Sequence, residues 1–334
     1  MKASKANPIY TAFVISGSTK YDVTPALMGI GTSEQDNQIA QSATIQLANV
    51  KVGDSKLATL IKPRSRVYIY ADDGEKNGEV FRGYVWKRPR KNALQESAFD
   101  LRCYDNLIYF QESDDSDYFS SGKSTKDVCE ALCEKWGVTL SYTYKSTIHS
   151  KLVLRGKLAD IILSDLLDVV KRRTRVKYTV LSKKDVLHIK SVGSNSTIYH
   201  FIAKQNVTEA SDEFSMDGMV TKVVILGKAD SEGQEPVEAI VKGKTSTYGT
   251  LQKIIDRNEN TTIEDAKEEA ESIIEEDGTP KWTYELVAVN VPWIRKGDKV
   301  YVNVGDIVGY YIVTAVERTI SKDKNEMRLS LEKE

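Results

Sequence analysis

Between residues 61 and 71 the chain reads Ile61-Lys-Pro-Arg-Ser-Arg-Val-Tyr-Ile-Tyr-Ala71, and between 294 and 304 it reads Ile294-Arg-Lys-Gly-Asp-Lys-Val-Tyr-Val-Asn-Val304. In both stretches apolar and polar residues alternate, the period of a strand with one buried face. At an offset of 233, Ile61 meets Ile294, Arg66 meets Lys299, Val67 meets Val300, Tyr68 meets Tyr301 and Ile69 meets Val302. At an offset of 230, Phe81 meets Tyr311, Val85 meets Ala315, Arg88 meets Arg318, Phe99 meets Leu329 and Leu101 meets Leu331. The change of three is expected in the intervening turn. Two copies so far apart are not a solenoid. They suggest a duplicated small β-barrel, or hairpins that share a composition.

Outward from the first copy, period-two patterning covers Ile9 to Asp105, with turns at Asp72-Asp73-Gly74 and Lys76-Asn77-Gly78. The period then becomes helical. Ser124 with Asp127 is a capping-box start for a helix carrying Val128, Ala131, Leu132 and Trp136 and stopped by Gly137. A second helix is expected from about Leu158 to Arg173, with Lys171, Arg172 and Arg173 at its negative end. A hairpin of Arg175 to Leu181 and Val186 to Lys190 follows. After Ser211, strands Val220 to Gly227 and Val237 to Val241 lead to two expected helices: one holding Leu251, Ile254 and Ile255, the other capped by Thr262 with Asp265 and stopped at Gly278. Strands resume at Trp282. The expected fold is α+β, mainly β: two tube-like antiparallel β-barrels flank a small α/β domain, and a helical hairpin interrupts the second barrel. The boundaries are 1–105, 106–205 and 206–334, with the helical insertion at about 248–278.

The 334 residues, 40% hydrophobic, are enough for two or three cores. Lys plus Arg total 47 against 48 acids, so no strong positive field exists to drive phosphate binding. Sequence-specific nucleic acid is therefore not expected as a partner. Met1 to Pro8 lacks the apolar core of a secretory signal, which points to synthesis in the cytoplasm. The longest apolar candidate, Leu158 to Val170, is too short to span a membrane. Three cysteines, Cys103, Cys129 and Cys133, fit a reducing compartment and core packing.

Chemical motifs fail one by one. Gly122-Lys123-Ser124 imitates the end of a P-loop, but position 117 is Asp117 instead of glycine and an acidic loop precedes it. Asp114, Asp115 and Asp117 lack the glycine and closing glutamate of a calcium loop. Cys129 and Cys133 stand one helical turn apart without the partners of a zinc site. His149, His188 and His200 are scattered, and the carboxylates from Glu264 to Asp277 spread around a capped helix. No catalytic residue, cofactor or metal is implied. The basic run Lys87-Arg88-Pro89-Arg90-Lys91 ends a strand, so Lys87, Arg88, Arg90 and Lys91 form the candidate charged contact surface. Charge at a hairpin tip equally discourages unwanted strand pairing.

With these features in order, the sequence resembles the hub proteins of simple contractile tails, the XkdQ/YqbQ type of prophages and phage-tail-like bacteriocins, related in architecture to the late control D proteins. The carrying residues are Phe119-Ser-Ser-Gly-Lys-Ser-Thr125 leading to Val128–Gly137, Val220-Thr-Lys-Val-Val-Ile-Leu-Gly227, and Lys296-Gly-Asp-Lys-Val-Tyr-Val302 with Gly309-Tyr-Tyr-Ile-Val313. The resemblance implies a non-enzymatic structural subunit. It would be a homotrimer presenting six similar barrels, with the hexameric tail tube on one side, the trimeric spike on the other, and other baseplate proteins around it. It also implies assembly into the baseplate of a virion or phage-tail-like particle. Two rival expectations are a tail-associated cell-wall hydrolase, which needs a catalytic constellation, and an OB-like nucleic-acid-binding module, which needs a basic surface.

Overall fold

The computed structural model describes residues 7–89, 97–142, 145–229, 231, 233–257 and 262–334. Strands hold 50% of the residues and helices 19%, so the chain is mainly β. It divides into two compact units, Met1–Ser211 with Tyr284–Glu334, and Asp212–Thr283.

The larger unit is built on one open sheet of thirteen strands. In the first half the neighbours run Ile9–Ser16, Arg66–Asp72, Asn77–Lys87, Ala98–Tyr104, Ser42–Ala48 and Leu27–Gln35, with Thr19–Asp22 outside Ile9–Ser16. In the second they run Tyr199–Ile202, Lys299–Val304, Ile307–Ser321, Asn325–Lys333, Lys281–Val289 and Val207–Ser215. The two orders are the same. They differ at the first strand, which pairs antiparallel in the first copy and parallel in the second. The copies merge where Leu27–Gln35 pairs antiparallel with Ile307–Ser321, from Gln35 opposite Ala315 to Gly29 opposite Ser321. Among the described residues no copy closes into a ring of strands. Ile9–Ser16 instead meets the turn before Leu27–Gln35, through Ala12 N donating to Thr24 Oγ1 at 3.0 Å and Val23 N donating to Ala12 O at 3.0 Å.

Alternation places one face of each half in its own core: Val14, Ile45, Val67, Ile69 and Leu101 in the first, Leu286, Val300, Val302, Val313 and Leu329 in the second. Each such aliphatic side chain stabilises the fold by roughly 1.5–3 kcal/mol on burial. The ladders uphold the 233 offset and correct the other. Val67 faces Gly83 and Ile69 faces Phe81, whereas Val300 faces Tyr311 and Val302 faces Gly309. Phe81 therefore corresponds to Gly309, and Gly83 to Tyr311, an offset of 228. Bulges at Trp86 and Thr314 fall at the same offset. The shorter turn at Gly305-Asp306, one fewer ladder pair beside it and the absence of the bulge found at Val80 together account for the change from 233. Matching aromatic to aromatic misplaces the third strand by two residues, because glycine and aromatic have traded places.

Between the copies, helix Thr125–Lys135 carries the expected capping box: Asp127 N donates to Ser124 Oγ at 3.1 Å and Ser124 N to Asp127 Oδ2 at 3.0 Å. The supposed acidic loop before it is strand Asp114–Phe119, paired with Leu152–Lys157. The second helix begins at Leu158 but is π-helical over Ile161–Leu167 before Asp168–Thr174. Leu158, Ile162, Leu166 and Val170, four residues apart, are all buried, and the wider π turn keeps that spacing on one face. Strands Tyr178–Lys183 and Val186–Ser191 form the expected hairpin across Lys184-Asp185, both with positive φ, the conformation a two-residue hairpin turn requires.

In the smaller unit, strand Lys222–Leu226 is flanked antiparallel by Val237–Lys242 and parallel by Gln252–Asp256. The expected helix around Leu251, Ile254 and Ile255 is thus a strand, with Ile254 opposite Val224 and Ile255 opposite Ile225. Helix Ile263–Asp277 packs Ala266, Ala270 and Ile273 with Val223 and Ile225, and Thr262 caps it with Asp265. A three-stranded sheet with one full-length helix replaces the expected helical hairpin; the other helix there, Thr245–Tyr248, is a single turn.

Candidate assembly surface

The joint between the two copies is held by charges that the sequence pattern does not single out. Glu34, on Leu27–Gln35, is buried, and its two carboxylate oxygens accept from Arg295 Nε at 2.6 and 2.8 Å. Arg295 also donates to the carbonyl of Ser182 at 3.4 and 3.3 Å. Lys296, buried beside it, donates to the carbonyls of Gln35 (3.1 Å) and Gln38. Arg318 donates to the carbonyls of Val291 (3.3 Å) and Ile294. Asp105 accepts from the backbone N–H groups of Gln41 at 3.0 Å and Leu107 at 2.9 Å. Burial pushes the Asp105 carboxyl up to about 7 and the Lys296 ammonium down to about 8, because each charged form loses its water.

These contacts give Lys296-Gly297-Asp298 a physical meaning. Lys296 reaches across to the first copy. Gly297 has φ +80°, and a Cβ there would lie 2.4 Å from Thr179 Cγ2. Asp298 accepts from Arg295 N at 2.9 Å and pairs with Lys190 at 2.8 Å. Around the joint, Trp293 Nε1 donates to Asp73 Oδ2 at 2.5 Å, Lys76 lies 4.2 Å over the Trp293 ring, and Asn290 donates to Tyr10 Oη at 2.6 Å. The only sequence signal for this network was Arg295-Lys296 beside Lys62-Pro63 in the repeat; Glu34 gave none.

The other candidate residues are dispersed. Lys87 is exposed at the end of Asn77–Lys87, Arg88 is half-buried just beyond it, and Arg90 and Lys91 lie outside the described residues. Asp115 and Asp117 hold Lys135 at 2.5 and 2.8 Å, and Asp115 accepts from Trp136 Nε1 at 2.7 Å; these bonds hold Asp115 below the usual carboxylate range despite its desolvation. Ser124 is engaged as a cap. Cys103, Cys129 and Cys133 are free and buried, and burial pushes the Cys133 thiol up to about 12, far from a reactive thiolate. His149 lies 2.8 Å from Thr125 Oγ1, which ties its loop to the helix start. His188 and His200 sit in separate strands. Among the described residues no group of three His, Cys, Asp or Glu is placed to hold a metal, and no helix is long and apolar enough to cross a membrane.

The described geometry is one of paired strands, a buried joint between the copies and an exposed edge strand. The model of the YQBQ-like family matches residues 33–332. The chain belongs to the YQBQ-like family. Its fold is that of solved tail proteins. The 43 kDa tail protein of prophage MuSo2 from Shewanella oneidensis has a TM-score of 0.68 at 15% identity, covering 97% of this chain and 98% of that one. The tail protein from Neisseria meningitidis MC58 scores 0.69 at 13% identity, covering 97% of each. A type VI secretion component of E. coli, described as similar to tail proteins gp27 and gp5 of bacteriophage T4, scores 0.58 at 9% identity and covers 92% of this chain and 74% of that one. No curated protein matches the sequence. These likenesses place the YQBQ-like fold among phage-tail structures.

Proposed function

We propose that this YQBQ-like chain is the structural hub of a contractile tail baseplate, in a phage, prophage or tailocin: a non-enzymatic homotrimer joining the hexameric tail tube to the trimeric spike. The observation that carries the proposal is the repeated strand order, which gives three chains six similar modules, a number that meets sixfold symmetry on one side and threefold on the other. The three-part division at 1–105, 106–205 and 206–334 belongs to the same proposal, as does incorporation into the tail particle with further baseplate proteins. The exposed positions at the end of the sheet, and the absorption of His149 and the cysteines into packing, favour assembly over chemistry. Mass in solution together with negative-stain images tests it: a trimeric ring with tube and spike partners is expected, and a chain that stays monomeric with both partners would refute it.

A further inference from the structure

The single joint between the copies has a twin that the chain leaves unused. At the joint, the last strand of the first copy, Leu27–Gln35, lies on the third strand of the second copy, Ile307–Ser321. In the shared order the converse pair is Val207–Ser215, last in the second copy, and Asn77–Lys87, third in the first. Val207–Ser215 ends the sheet, with no described strand on its outer side and every residue from Thr208 to Phe214 exposed. Such an edge presents unpaired N–H and C=O groups to any strand that fits. At the 228 offset, Lys87-Arg88-Pro89 is the counterpart of Ala315-Val316-Glu317, residues that receive the joint strand in the second copy.

The register transfers as well. Val289 N donates to Asn206 O at 2.9 Å, which fixes how Val207–Ser215 runs along Lys281–Val289. Through that alignment the joint pairs Gln35 with Ala315 and Glu34 with Val316 become Phe214 with Lys87 and Glu213 with Arg88. The chemistry matches: Val207–Ser215 carries Glu209, Asp212 and Glu213 and no base, while Lys87-Arg88 carries no acid. Phe214 and Trp282 are 60% and 50% exposed with ring centroids 5.4 Å apart, and Trp86 is 43% exposed, the large aromatic anchors that interfaces use.

We propose that Val207–Ser215 of one copy adds, head to tail, to the edge at Trp86-Lys87-Arg88 of a second copy of this chain. This deepens the hub reading and rests on it: a heterologous contact builds a ring when its rotation closes, and the hub reading sets that ring at three chains. The test is the full chain with Arg88→Cys and Glu213→Cys together, since the native cysteines are buried. Oxidation is expected to give a covalent ladder that ends at three chains. The pair Arg88→Cys with Asp212→Cys should not cross-link, because successive side chains point to opposite faces. A trimer without the 88–213 cross-link overturns the joint and leaves the hub reading standing, and a ladder that stops at two chains overturns the joint. A monomer in the presence of tube and spike overturns both. Should cysteine impair folding, Arg88→Glu is expected to weaken association about tenfold, one like-charge pair's worth, and adding Glu213→Arg to restore it. Failure of that restoration also overturns the joint.

Discussion

Glu34 and Arg295 show how costly one lost partner becomes when its mate cannot reach water. The Glu34 side chain is 1% exposed and that of Arg295 19%. Glu34→Ala is expected to destabilise the larger unit by about 3–5 kcal/mol, since it strands a largely buried guanidinium; Glu34→Gln should cost less. Urea unfolding followed by far-UV circular dichroism measures both. Asp105 makes a separate prediction. Its carboxyl is raised from 3.8 to about 7 by burial, so the folded state keeps a proton that the unfolded chain has lost. Its contribution is complete below about pH 4 and disappears as pH rises through about 7. Lys296, lowered from 10.5 to about 8, acts in the opposite sense, favouring the folded state as pH rises from about 8 to 10.5. Urea midpoints across pH 4 to 7 should fall in the parent, and Asp105→Asn should flatten that fall. An unchanged slope would assign the titration elsewhere.

Within single elements, the sequence signal and the structure agree where local chemistry decides. Ser124 and Thr262 cap their helices through their own side chains, and Ser124→Ala should cost about 1 kcal/mol while Lys123→Ala leaves the melting temperature unchanged. The failures share one cause. Leu251, Ile254 and Ile255 have helical spacing, but their neighbour is strand Lys222–Leu226, which lies about thirty residues earlier and is invisible to a local window. In the repeat, a strand slid by two residues keeps every side chain on its face, so periodicity could not separate an offset of 230 from 228; only the ladder does. Gly83 supplies a check on the ladder. A Cβ there would lie 2.1 Å from the Tyr104 carbonyl oxygen and 2.8 Å from Phe81 Cζ. Gly83→Ala should therefore shift backbone and cost several kcal/mol, like other overpacked cores, read as a lowered unfolding midpoint.

For the whole molecule, the mainly β class and the duplication were legible because each is written in alternation and self-similarity. The joint was not. Leu27–Gln35 meets Ile307–Ser321 across nearly the whole chain length, and neither strand carries a mark of the other: Glu34 pairs with Arg295, which lies outside both strands. In the smaller unit the two expected strands and the Thr262-capped helix are present, and the one expected helix around Leu251, Ile254 and Ile255 is a strand. A molecule that assembles through acidic and basic edges should respond to ionic strength. Raising salt about tenfold should lower the oligomeric fraction in analytical ultracentrifugation, because exposed charges are screened over roughly 10 Å or less, while the buried pair Glu34–Arg295 keeps the monomer's unfolding midpoint nearly constant.

The exchange of Phe81 and Gly83 for Gly309 and Tyr311 also bears on how the two halves have drifted apart. Each strand accommodates one ring and one bare backbone position two residues away, in reversed order. A recombination event that copied only Asn77–Lys87 over the start of Ile307–Ser321 would carry a ring to a site shaped around glycine and leave a hole where Tyr311 had stood. Such a graft is expected to lower the unfolding midpoint unless the flanking strands travel with it, so the two halves should exchange strands as paired sets rather than one by one.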